Sequence, residues 1–171
     1  GNRELNVSLM FNQGATVILD GGQFDLTGTT LTTGAGTELG AFYVSGGLLN
    51  GTILAGPDLH LKSASFQNDI VLGTVNIPTD YTYLTIYEGV TFAGADGTGT
   101  GRLMLTGAND TLSLSVNWPA DSLTFDNATI VLGNTTGADT IAPGIWGGSV
   151  TFGPNASIVS DMAGGRAAFA V

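Results

Sequence analysis

Four segments decide the fold: LLNGTIL (48–54), FQNDIVL (66–72), IYEGVTF (86–92) and FDNATIV (125–131). Each begins with a large apolar residue, has a polar residue two positions later and ends in a short apolar run. Alignment on the first residue extends the series along the chain. The aligned markers are Phe11, Leu31, Leu48, Phe66, Ile86, Leu105, Phe125 and Ile145.

The spacing of the markers determines the architecture that the sequence predicts. They lie 17–20 residues apart, which is too short for a helical-pair repeat or a propeller blade. Within the units apolar residues alternate, as at Leu112, Leu114 and Val116, and this period of two is typical of a half-buried strand. We therefore expect an all-β, right-handed parallel β-helix (β-solenoid) of about eight coils of roughly 17–20 residues. The alternative is an antiparallel β-sandwich, whose strands also recur between turns.

In a solenoid each marker would stack on its counterpart one coil away, at roughly 4.8 Å, and the stacked markers would form one wall of a continuous core. The position three residues after each marker holds Gly, Ala or Asp in all eight units, which suits a tight turn. We expect residues 1–171 to form a single solenoid segment of a longer repeat protein.

Composition and charge exclude several function classes. Apolar residues make up 43% of the chain and charged residues 11%, which argues against disorder. Fourteen acidic residues face four basic ones, for a net charge of −10, so nucleic acid is not an expected partner. The chain has no cysteine and therefore no disulfide or thiolate metal site. No apolar stretch is long enough to predict a membrane span.

The runs LLNGTILAG (48–56), TFAGADGTGTGRLMLTG (91–107) and LTFDNATIVLG (123–133) resemble the Gly/Thr/Asn-rich repeats of large bacterial surface proteins. These include autotransporter passengers and filamentous-haemagglutinin-like adhesins. The resemblance implies a secreted or cell-surface β-solenoid that acts as a stalk or adhesin. Its partner would be a glycan or protein of a host or neighbouring cell. The resemblance supplies no catalytic residues.

Two other functions fit a β-solenoid. One is a polysaccharide-active enzyme or tailspike-like depolymerase, which needs clustered carboxylates. The nearest acidic pair on neighbouring coils, Asp69 and Glu88, falls at the turn position, where a polar residue is expected anyway, and Asp80 and Asp139 fall on non-adjacent coils. We therefore expect no enzyme activity and no catalytic residue. His60 is the only histidine, and its alternation with Leu59 and Leu61 predicts that it faces solvent. The other function is a filament subunit that associates end to end through open coil ends.

Calcium is the metal that this composition favours, because Asp and Asn in turns supply oxygen ligands. The candidates are Asp96, Asp110 and Asp126. The calcium-binding nonapeptide motif is absent, and Asp is also an ordinary turn residue. No other cofactor is expected.

Aromatic side chains are the candidates for glycan contact. Tyr81, Tyr83 and Tyr87 lie close together in sequence, and Trp118 and Trp146 lie near turns. Tyr81 and Tyr83 share one face if their segment is a strand. The alternative is that these rings cover the core or a coil edge with their polar ends in water.

Overall fold

The computed structural model describes residues 13–37, 39–117, 121–133, 136–144, 148–160 and 167–169. Within these ranges the chain forms seventeen short strands and no helix, so no described segment is a helix that could cross a membrane. The strands are β1 Ala15–Asp25, β2 Thr30–Thr32, β3 Leu39–Leu49, β4 Thr52–Ala55, β5 Leu59–Leu61, β6 Ser63–Gln67, β7 Ile70–Ile77, β8 Tyr83–Ile86, β9 Thr91–Ala93, β10 Gly101–Leu105, β11 Thr111–Ser115, β12 Ser122–Phe125, β13 Ala128–Leu132, β14 Asp139–Gly144, β15 Ser149–Phe152, β16 Ser157–Ser160 and β17 Ala167–Phe169.

The strands stack into three parallel sheets. The first sheet has the order β1-β3-β6-β8-β11-β14-β17, with β5 also paired to β3. The second has the order β16-β13-β10-β7-β4-β2, with β9 also paired to β7, and the third contains β12 and β15. Every described strand pair is parallel. The predicted parallel β-solenoid is confirmed, and the antiparallel sandwich is wrong.

The number of coils differs from the prediction. The first sheet passes through about five complete turns from β1 to β14, and β17 begins another. The reason is a change of coil length along the chain. The sequence separation between Tyr83 and its sheet partner Thr111 is much larger than that between Tyr43 and its sheet partner His60. Coils of the second half are longer because each carries an additional strand: β9 in the coil that begins at Tyr83, and β12 or β15 of the third sheet in the coils that follow.

The predicted marker column is correct in its middle and wrong at both sides. Leu48, Phe66 and Ile86 are in register in the first sheet, and all three are fully buried. Leu105 instead lies in the second sheet and Phe125 in the third.

The neighbours of the other described markers also differ from the prediction. Leu31 pairs with Ile53 in the second sheet, and the column of Leu48 continues to Phe24 on one side. All six described markers are nevertheless buried, so the pattern identified core residues correctly. Phe11 and Ile145 lie outside the described residues.

Corners between strands are occupied by residues that tolerate a left-handed backbone. Asn50, Asn68, Asn109 and Asn127 all have φ between 52° and 62°, a region that Asn enters more readily than most residues. Gly51 follows the first of these, and a Cβ there would overlap the side chain of Leu26 on the preceding coil. Close approach between coils therefore explains the small residue three positions after the marker Leu48.

The buried column gives a stability prediction. Phe66→Ala should lower the free energy of unfolding by about 3–5 kcal/mol, because it leaves a cavity between Leu48 and Ile86. Phe152→Ala is the matched control: Phe152 is 44% exposed, so its loss should cost about 1 kcal/mol. Urea unfolding followed by circular dichroism measures both. Equal losses would contradict the assignment of Phe66 to the core.

Candidate functional site

The predicted tyrosine contacts lie at and around β8. Tyr81 is 76% exposed and Tyr83 is 47% exposed. The strand begins at Tyr83, and Tyr81 precedes it with a left-handed φ of 59°, so strand geometry does not place the two rings on one face. Tyr87 is half-buried at the end of the strand, where its N–H donates to the carbonyl of Phe66 at 2.9 Å. Trp118 and Trp146 lie outside the described residues. A role for these rings in glycan contact stays a prediction.

A groove of about 370 Å³ opens on the outer face of the first sheet beside β1, β3 and β5. Ile18, Tyr43 and His60 line it from one register position on three successive coils. The rings of Tyr43 and His60 are stacked, with centroids 4.4 Å apart and planes 19° from parallel. These three residues, the stacking row, face outward because the residues on either side of each in its strand are the ones directed at the core.

Polar side chains form a second row, each two residues after a member of the stacking row. Asp20 pairs with Ser45, and the Lys62 N–H donates to the carbonyl of Val44 at 3.0 Å, which places Lys62 beside Ser45. Asp20, Ser45 and Lys62, the polar row, all line the groove. A carboxylate, a hydroxyl and an ammonium group are thus aligned next to an apolar surface.

His60 faces outward as predicted, between buried Leu59 and Leu61. Its partner Tyr43 was not predicted from the sequence. The signal is present in the sequence, because Tyr43 and His60 each lie twelve residues after a marker, Leu31 and Leu48. A comparison of acidic residues alone across the units does not reveal it.

The three calcium candidates lie in different turns, and each side chain already accepts hydrogen bonds. Asp96 accepts from the N–H and hydroxyl of Thr98, both at 2.9 Å, and these bonds lower its pKa. Asp126 accepts from the Asn155 N–H at 2.8 Å. Asp110 is buried and accepts from the Thr82 N–H at 2.9 Å. Within the described ranges no three Asp, Glu, His or Cys side chains are grouped so that they could hold a metal ion.

Asp110 belongs to a column of aspartates that bond to backbone groups of neighbouring coils. Asp139, on the next coil, accepts from the N–H of Asp110 at 3.1 Å, and Asp80, on the preceding one, accepts from the N–H of Ala108 at 2.8 Å. Asp80 and Asp139 are therefore on non-adjacent coils, as predicted, with Asp110 between them. The aligned units do not predict this column because they assign the wrong length to the later coils.

The environment of Asp110 disfavours its charge. Burial, together with the negative charges of Asp139 and Asp80, raises its pKa from 3.8 to about 6, against the hydrogen bond from Thr82. Its second carboxylate oxygen is buried and has no hydrogen-bond partner. Asp69 repeats the arrangement nearer the amino terminus: it accepts from the N–H groups of Gly51 and Gln67, and burial raises its pKa. These carboxylates join coils and are not accessible to a ligand in solution.

A ladder of side-chain amides follows one corner of the solenoid. Asn50 donates to Asp25 at 3.2 Å, and Asn68 donates to Asn50 at 3.3 Å. Further along the chain, Asn117 donates to the carboxylate of Glu88. Polar residues two positions after the marker thus form side-chain hydrogen bonds between consecutive coils.

Comparison with known proteins does not assign a family: no protein-family model matches the chain, and no curated protein or solved structure matches it significantly.

Asp110→Asn tests the energetic cost of the buried charge. Between about pH 4 and pH 6 the folded protein binds more protons at Asp110 than the unfolded chain, so the free energy of unfolding falls as the pH rises through this window. The variant cannot titrate there, so its stability relative to wild type should increase from pH 4 to pH 6. Urea unfolding across this range measures the difference.

Asp96→Asn is the control, because Asp96 is exposed and its pKa is lowered. Its effect on the pH profile should be small and of opposite sign. Parallel profiles for wild type and Asp110→Asn would contradict a raised pKa at Asp110.

Proposed function

We propose that this chain is a segment of an extracellular structural and adhesive β-solenoid, whose lateral faces contact a glycan or protein on a cell surface. The observation that carries the proposal is the set of exposed apolar side chains on and next to the first sheet. Tyr43 is 45% exposed and Ile18 is 70% exposed. Tyr81 and Tyr83 are exposed as well. Clustered exposed apolar groups are typical of interaction surfaces.

The construction of the rod supports a stalk or display role. Its coils are joined by parallel strand pairing along two long sheets and by aspartate and asparagine side chains at the corners. Stacked repeats of this kind form a rigid, quasi-one-dimensional body that holds a lateral surface at a fixed position. The Gly/Thr/Asn-rich runs that resemble bacterial surface repeats favour a secreted location.

A polysaccharide-active enzyme is the second candidate, and Asp110 is the observation in its favour, because a carboxyl group with a pKa near 6 suits a general acid. Asp110 is only 1% exposed and is bonded within the coil stack. A glycan in the lateral groove would not reach it. This favours binding without turnover over catalysis.

Retention on surfaces, measured together with turnover, tests the proposal. Labelled protein should be retained on intact cells or on a panel of immobilised polysaccharides without release of new reducing ends. The triple variant Tyr43→Ala/Tyr81→Ala/Tyr83→Ala should bind about tenfold more weakly or worse, because it removes three exposed rings on and next to the first sheet.

The matched control is Ile70→Ala/Phe152→Ala/Val159→Ala, which removes exposed apolar side chains from the second and third sheets. It should bind like wild type. Release of reducing ends would favour the enzyme. Light scattering that shows concentration-dependent end-to-end assemblies, with no retention on any surface, would favour the filament subunit.

A further inference from the structure

We propose that the groove beside β1, β3 and β5 is a binding site for a neutral glycan, with a sugar ring packed against the stacking row and its hydroxyl groups bonded to the polar row. This inference rests on the proposed adhesive function and specifies its ligand. It moves the principal contact from Tyr81 and Tyr83 to Tyr43 and His60.

The stacking row is a preformed apolar surface. Ile18, Tyr43 and His60 are held in register by parallel pairing of their strands, at roughly the 4.8 Å spacing of a sheet. Ile18 leaves 70% of its side chain in water, although the same row contains an aromatic pair that packs at 4.4 Å. A ligand that covers Ile18 and the exposed part of the rings removes this apolar surface from water, and that burial stabilises the complex.

The His60 ring stacks on Tyr43 and also lines the groove. Tyr43 covers the face directed at the preceding coil. On the other side β5 has no strand partner in the described sheets, since its only pairing is with β3. From the following coil Thr79 lines the groove. His60 and Thr79 thus border the groove from successive coils, and its volume of about 370 Å³ lies within the usual size range of ligand sites.

The two rows together match the chemistry of a pyranose. A sugar ring has C–H groups on one face, which pack on apolar side chains, and hydroxyl groups around its rim. Asp20 can accept hydrogen bonds from hydroxyls, Lys62 can donate to them and Ser45 can do both. Because the polar row is parallel to the stacking row, a glycan chain that follows the solenoid axis contacts both rows over three coils.

Charge favours a neutral glycan over an acidic one. The chain carries a net charge of −10, which repels polyanions. Within the groove the carboxylate of Asp20 offsets the ammonium group of Lys62, so the site offers no net positive charge to a uronate or sialate. A neutral hexose chain avoids this repulsion and uses both groups as hydrogen-bond partners.

Titration of the whole chain with soluble neutral and acidic oligosaccharides, by calorimetry or a glycan array, tests the site. A neutral oligosaccharide should bind, and Tyr43→Ala and His60→Ala should each weaken that binding by about tenfold. Tyr43→Phe keeps the ring and should retain binding. Ile18→Ala should weaken binding, whereas its matched control Ile70→Ala, on the second sheet, should not. Thermal melting identifies any variant that fails to fold.

Several outcomes would overturn the inference while the proposed adhesive function stands. These are surface retention without binding of neutral sugars, binding that Tyr81→Ala or Tyr83→Ala abolishes while Tyr43→Ala does not, and tighter binding of acidic sugars through Lys62. A dimer that dissociates on Tyr43→Ala would assign the groove to a second copy of the chain. Failure of retention on every surface would instead remove the adhesive function itself.

Discussion

The structure depends on axial hydrogen bonding between consecutive coils. Each coil is too short to bury its own backbone, so its N–H and C=O groups bond to the coils before and after it. At corners the strands separate, and the carboxylates of Asp69 and Asp110 receive the N–H groups of Gly51 and Thr82. A buried N–H without an acceptor costs about 1–3 kcal/mol. Each aspartate therefore stabilises the fold by accepting a hydrogen bond from such a group at its corner. The raised pKa of Asp110 reflects the free-energy cost of burying its negative charge.

Sequence periodicity predicted the fold class and the identity of many core residues. It succeeded around Leu48, Phe66 and Ile86 because those coils have nearly equal lengths and their markers are in register. It failed at Leu105, which pairs with Ile77 and Leu132 in the second sheet. Both arrangements bury an apolar residue at that position, so a pattern of burial alone does not reveal which sheet contains it.

The groove could be predicted only in part from the sequence. The equal offsets of Tyr43 and His60 predict that they are neighbours, and alternation predicts that they face outward. The cavity itself lies where β5 has no second partner among the described strands and where the loop that contains Thr79 borders it. The position of β5 and of this loop depends on how a short coil packs against a longer one, and the local sequence pattern does not predict that packing.

The nearly equal length of the later coils has a consequence for how such a protein changes in evolution. Tyr83, Thr111 and Thr140 follow one another at almost the same interval in the first sheet. An in-frame duplication of one of these coils would give every new strand a neighbour of matching length, so the rod would lengthen without new unpaired edges. A duplication that spans the short coil with His60 and the longer coil before it would instead place turns of unequal length side by side. Growth of this molecule by gene duplication is therefore favoured in its carboxy-terminal half.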